Sequence, residues 1–148
     1  MVTLVSPQRG RAKIATPPLG PRQKRIGAVL LTAAVVCLAL NIYNEARGEP
    51  EEGQLAVAYV TINRAAGKRS KICDEVFRSK QFSWVGTPTC TWDLRLMRDA
   101  IRVARQALNE PDFTEGALWY HRYDVHPVWS RGIEPHFTLG NHVFFRSL

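Results

Sequence analysis

Glu45 shares one helical stripe with Leu38 and Ile42, the three falling at i, i+4 and i+7. A carboxylate held on an apolar stripe is desolvated, which raises its pKa and keeps it protonated near neutral pH. A protonated Glu is the general acid that donation to a glycosidic oxygen requires. The competing reading is a Glu that pairs with Arg47 or Arg64 and staples two helices together. Spacing alone leaves both open.

Other chemistries find less support. His121, His126, His136 and His142 match no zinc spacing: there is no H-E-x-x-H, no C-x-x-C and no i, i+4 His pair on a helix. A Cys–His nucleophile pair has Cys73 or Cys90 as its candidate thiol but lacks a local signature. No Gly-rich phosphate loop is present. Trp84, Tyr120 and Trp129 are side chains of the kind that stack on sugar faces, and each alone also fits a core. Cys73 and Cys90 bracket Gln81–Trp84 with sixteen residues between them. A bridge there would contribute about 3 kcal/mol by the chain-entropy argument. Two free thiols are the alternative.

The elements that position these residues follow from composition and pattern. The chain has 148 residues, 45% hydrophobic and 22% charged, enough for one folded domain. Its net charge of +7 is concentrated in residues 1–25, which hold six Lys/Arg and no Asp or Glu. The rest carries fourteen basic and thirteen acidic residues, so no basic patch on the fold argues for a nucleic-acid partner. Residues 1–25 read as a disordered basic tail, being rich in Pro and Gly. Ile26–Leu40 is an uncharged apolar run that reads as a signal anchor or as an extension of the first helix. Fifteen helical residues rise only about 22 Å, short of a hydrocarbon core of about 30 Å.

Beyond the tail the pattern predicts a helix over about Thr32–Glu45, a stop at Gly48, and a second helix opened by Glu49-Pro50-Glu51-Glu52. Gln54–Ala66 is apolar on nearly every side, as a central helix would be. Cys73–Cys90 reads as loop-rich. Asp93–Leu108 is amphipathic, with Leu94, Met97, Ile101, Ala104 and Leu108 on one face. Arg95, Arg98, Arg102 and Arg105 form the other, either a solvated face or one drawn to an anionic polymer. Ala117–His121, Phe137–Leu139 and Val143–Phe145 predict a small antiparallel sheet, the last two joined across Gly140-Asn141. The expected class is α+β, mainly helical.

The stretch Leu38–Arg64, LALNIYNEARGEPEEGQLAVAYVTINR, resembles the opening motif of cell-wall hydrolases of the SleB type. That family includes spore-cortex-lytic enzymes and small phage endolysins. It also carries a Gln-Phe-Ser-Trp segment, here Gln81–Trp84, and an aromatic pair after a Gly-Ala turn, here Gly116–His121. Trp129 and the closing Gly140-Asn141-His142-Val143-Phe144 match as well, so the likeness spans roughly Cys37–Arg146. The lack of a repeated wall-binding module is more like the single-domain phage versions.

The resemblance implies a lysozyme-like catalytic domain over 37–148 that cleaves the MurNAc–GlcNAc bond of peptidoglycan strands. Its acid would be Glu45, acting as a lytic transglycosylase that leaves a 1,6-anhydro-muramic end. A hydrolytic muramidase and a non-catalytic membrane-anchored wall-binding protein are the alternatives. Gln54, Asn63, Gln81, Ser83, Trp84, Tyr120, Trp129 and His142 are the residues this implies for substrate binding or for orienting Glu45. For Gln54 and Asn63, hydrogen bonding that merely joins helices is an equal reading. No metal or organic cofactor is implied, and the chain is read as a monomer. With Arg22, Lys24 and Arg25 inside, insertion of Ile26–Tyr43 would put the domain in the periplasm. Glu45 would then stand beside the bilayer, so activity would await release. The alternative location is cytoplasmic until a holin opens the membrane.

Overall fold

The computed structural model describes residues 21–87 and 91–146, with side chains described from residue 33 onward. Four helices come first: α1 (Pro21–Ala46), α2 (Glu51–Arg64), α3 (Ile72–Val76) and α4 (Leu94–Ala107). Three short strands follow: β1 (Trp119–Arg122), β2 (Phe137–Leu139) and β3 (His142–Phe145), forming an antiparallel sheet of order β1-β3-β2. The α+β class holds.

Helix α2 explains why its sequence is apolar all round. Leu55, Ala58 and Tyr59 face a core shared with α1, α3 and α4. Ala56, Val57 and Val60 face a second core with Ala46, Ala117 and Phe144, which brings in the sheet. α2 is the layer between the two. Asn41 Nδ2 on α1 donates to Thr61 Oγ1 on α2 at 2.8 Å, and both residues are fully buried. A buried pair of this kind fixes the relative setting of two helices, because a one-residue slip orphans both groups.

Several expectations need correction. α1 begins at Pro21, well before Thr32. Proline at a first helical position loses nothing by lacking an N–H, and no later Pro interrupts the ladder. Pro21–Arg25, assigned to the tail, are therefore helical, while residues 1–20 lie outside the described residues. No helix among the described residues is long and apolar enough to cross a membrane. Of the two readings of Ile26–Leu40, the folded domain shows the first-helix extension, with Ala34, Val35, Leu38, Ala39 and Ile42 facing the core.

The cysteine pairing also differs. Cys73 is bonded to Cys37, with Cα atoms 5.3 Å apart, and Cys90 lies outside the described residues. The bridge joins α1 to α3, a helix missing from the loop-rich reading of Cys73–Cys90. Cys37 was hidden in an apolar run, where a thiol passes for a core side chain.

The buried face of α4 is Ala100, Val103, Ala104 and Ala107, while Leu94 in its first turn is 76% exposed. Ala104 of the predicted face is fully buried and Met97, Ile101 and Leu108 pack half-buried against the same core, so Leu94 is the member that departs from it. Asp93 caps the helix by accepting from the Arg95 and Leu96 amides. Arg102 pairs with Glu51 at 2.9 Å across to α2, an exposed contact of small worth.

Candidate active site

Glu45 sits in the last turn of α1 and projects into a cleft of about 230 Å³ lined also by Arg64, Gln81, Phe82, Ser83 and Tyr120. Among the described lining residues it is the only carboxylate. Burial raises its pKa above the ordinary Glu value, opposed by the Tyr120 hydroxyl and the Trp84 indole. Tyr120 donates to Glu45 Oε2 at 3.3 Å. The Trp84 indole N–H is buried and completes no hydrogen bond. The proposed pairing of Glu45 with Arg47 or Arg64 does not occur: Arg47 lies over the Tyr43 ring at 5.0 Å, and Arg64 over Trp119 at 4.6 Å.

Three elements hold this cleft in shape. Arg64, at the end of α2, donates from Nε to the Leu118 carbonyl at 2.6 Å and so fixes the entry to β1. Asn63 donates to Asp112 Oδ2 at 2.9 Å and to the Ala117 carbonyl at 3.1 Å. Burial would raise Asp112, but hydrogen bonds from Thr114, Asn63 and the Gly116 amide outweigh it and hold the carboxyl below its usual range. The third element is Gln81–Trp84. Phe82 stacks on Trp84 at 6.0 Å, and Phe77 meets Trp84 edge-on at 6.3 Å, which anchors the loop from behind.

Tyr120 reaches Glu45 because of the sheet. Side chains alternate along β1, so Tyr120 shares its face with its register partner Phe144 and with His142. His142 packs edge-on against Tyr120 at 5.2 Å and is 3% exposed. Burial dominates its titration and lowers the imidazole pKa, against the pull of Glu49. Tyr120 is so desolvated beside Glu45 that its own pKa lies well above the usual phenol value, so it remains a donor.

The nine residues implied by the resemblance therefore divide. Glu45, Gln81, Ser83 and Tyr120 meet in the cleft, and Trp84 stands behind it. His142 is not a surface contact but supports Tyr120 from below. Asn63 is a tie between α2 and the segment before β1. Gln54 donates to the Glu49 carbonyl at 3.0 Å, within the turn that starts α2. Trp129 packs on Trp119, His121 and Phe145 across the opposite face of the sheet. Arg64 and Phe82 are the cleft residues that sequence reasoning did not assign. Arg64 closes the Leu38–Arg64 stretch and Phe82 lies within Gln81–Trp84, so both stand in segments that carry the resemblance, and only their direction was missing.

A small helical domain with a three-stranded sheet and one desolvated Glu at a cleft is lysozyme-like in architecture. Residues 48–145 match the cell wall hydrolase family model, and the chain belongs to that family. The match opens just past Glu45. Curated relatives include spore cortex-lytic enzymes of Bacillus subtilis, 32% identical, and Halalkalibacterium halodurans, 34% identical, each aligned over 72% of this chain. The alignments cover 35% and 33% of those proteins, so the chain spans about a third of their length. The catalytic domain of the Bacillus cereus SleB protein superposes with a TM-score of 0.61 at 26% identity, covering 91% of this chain and 98% of that one. That of the Bacillus anthracis germination-specific lytic transglycosylase SleB gives 0.61 at 29% identity, over 75% and 92%.

Proposed function

We propose that this chain cleaves the glycan strands of peptidoglycan at the MurNAc–GlcNAc bond as a lytic transglycosylase. The observation that carries the proposal is a single desolvated carboxyl, Glu45, in a cleft whose other described lining side chains are not carboxylates. Glu45 gives its proton to the glycosidic oxygen as the C1–O bond breaks. The resulting carboxylate takes the proton of the muramyl C6 hydroxyl while that oxygen bonds to C1. The products are a 1,6-anhydro-muramic end, a free GlcNAc hydroxyl and a reprotonated Glu45.

The two influences on Glu45 suit the two halves of this cycle. Burial favours the neutral acid, and the Tyr120 hydroxyl favours the carboxylate that follows. An inverting muramidase would need a second carboxylate about 6.5–9.5 Å away to activate water. Glu49, the nearest acid in the motif, is turned to Asn141 instead. The relatives that are spore cortex-lytic enzymes, and the structural neighbour that is a germination-specific lytic transglycosylase, support the same chemistry. Mass spectrometry of purified peptidoglycan digested by the protein tests it. Anhydro-muramic ends are expected, and reducing muramic ends would replace this reaction with hydrolysis.

The setting we propose is host lysis by a phage-type endolysin whose α1 is a releasable anchor. Leu38 and Ile42, which membrane insertion would remove, are fully buried in the core. An inserted form would thus have an open core and no formed cleft. Adding four Leu within Ile26–Leu40 is expected to trap the protein in the membrane and abolish lysis. Undiminished lysis by that variant would remove the anchor from the account.

A further inference from the structure

The catalytic cleft does not end at Gln81. Arg64 and Gln81 also line a second cavity of about 220 Å³ with Glu75, Arg78, Leu118 and Trp119. Arg64, Glu75 and Arg78 in turn line a third, of about 380 Å³, whose further walls are Ala65, Ala66, Lys68, Lys71 and Asp74. Arg64 lines all three, Gln81 joins the first to the second, and Glu75 and Arg78 join the second to the third, so the cavities adjoin along one groove past Arg64. The composition changes sharply along the way. The end near Glu45 has Phe82 and Tyr120, whereas the far end has no aromatic lining residue and carries four cations against two carboxylates.

Both of those carboxylates are already engaged. Asp74 pairs with Lys71 at 3.2 Å, and the buried Glu75 pairs with Arg78. Neither Arg64 nor Lys68 has an ion-pair partner among the described residues. A neutral sugar gains little from such a site, since sugar recognition relies on ring stacking and neutral hydrogen bonds. An anionic chain branching from the sugar gains much more. The helix end beneath the cavity does not oppose an anion strongly, because the amides of Ala65, Ala66 and Gly67 satisfy carbonyls of the last turn of α2.

We infer that the groove beyond Arg64 is a binding site for the acidic stem peptide of peptidoglycan, with Lys68 and Arg64 meeting its free carboxylates. The inference rests on the glycan-cleaving function proposed above and adds the part of the substrate that selects the site. The stem peptide hangs from the lactyl group of the muramic sugar, the residue that must sit beside Glu45 for cleavage. A groove running from that carboxylate past a cation is the path such a branch would take. The enzyme would accordingly prefer peptide-bearing strands to bare ones.

The test compares kcat/KM on intact peptidoglycan strands with that on strands stripped of peptide by an amidase. The wild-type preference for peptide-bearing strands is expected to fall about tenfold in Lys68→Glu and about threefold in Lys68→Ala, through KM rather than kcat. An unchanged ratio, or an equal loss on both substrates, would overturn the site. A second measurement does not depend on cleavage: titration of the isolated acidic stem tetrapeptide into the full chain, followed by NMR. Shifts around Arg64 and Lys68 that vanish in Lys68→Glu are expected. Absence of shifts in the wild type overturns the peptide site while leaving Glu45 chemistry untouched, whereas binding without any strand cleavage would sink the glycosidase reading instead.

Discussion

Glu49 and Asn141 hold each other at two points: the Asn141 amide N–H donates to Glu49 Oε2 at 2.8 Å and its side-chain amide to Oε1 at 3.0 Å. The second Glu of the E-A-R-G-E block therefore serves the β2–β3 turn. Gly140 completes the fit, since a Cβ there would stand 2.0 Å from Glu49 Oε2 on a backbone with φ of +58°. This clamp sets the hairpin that carries His142 and Phe144, which in turn support Tyr120 at Glu45.

Gly140→Ala is accordingly expected to cost about 2 kcal/mol or more, as clash and left-handed backbone strain combine. Urea unfolding reads this directly. Glu49→Gln, which keeps one acceptor, is expected to lose less than Glu49→Ala.

Tyr120→Phe removes the hydroxyl that draws Glu45 toward its charged form while leaving the ring packing intact. The Glu45 pKa is expected to rise, moving the alkaline limb of the pH–rate profile upward. A fall in kcat of about tenfold matches the loss of one hydrogen bond to a charged group. An alkaline limb that stays in place would show that Tyr120 does not tune Glu45.

The raised pKa of Glu45 also has a stability consequence. Its folded-state carboxyl holds the proton more tightly than the unfolded one, so its contribution is fully present below the unfolded pKa and lost as pH rises through the folded value. Glu45→Gln, always neutral, is therefore expected to melt higher than wild type at pH 7–8. That advantage should shrink toward pH 4. Thermal melts at both pH values check the sign.

The Cys37–Cys73 bridge has a sequence separation of 36. A loop of that size is worth about 4 kcal/mol in the chain-entropy account. Cys37→Ser is expected to lose a comparable amount, and reduction of the wild type to mimic it. Non-reducing peptide mapping should recover Cys37 linked to Cys73. In the anchored form Cys37 would lie in lipid, so the bridge is expected in soluble protein and absent from the membrane fraction.

Much of this was legible in the residues. The stripe Leu38–Ile42–Glu45 gave the right environment for the acid, because one helical periodicity governs both burial and direction. The hairpin across Gly140-Asn141 and the class of fold were equally local signals. The rest depended on contacts far apart in the chain. Nothing in the spacing of Cys73 and Cys90 revealed that Cys73 bonds to Cys37. His142 looked like a contact residue until the register placed it under Tyr120, and Arg64 looked like a helix staple until Leu118 and Trp119 turned it into the cleft wall. On α4, Ala100, Val103 and Ala107 joined the predicted Ala104 at the centre of the core face, leaving Met97, Ile101 and Leu108 half-buried at its margin and Leu94 exposed.

The most direct test of the central claim is the rate at which Glu45→Gln clears a suspension of purified peptidoglycan. The substitution keeps size and hydrogen bonding but removes the transferable proton. A loss of at least about a hundredfold is expected, since general acid catalysis contributes about 10²–10⁴. Clearance at close to the wild-type rate by a folded variant would contradict the assignment of Glu45 as the acid.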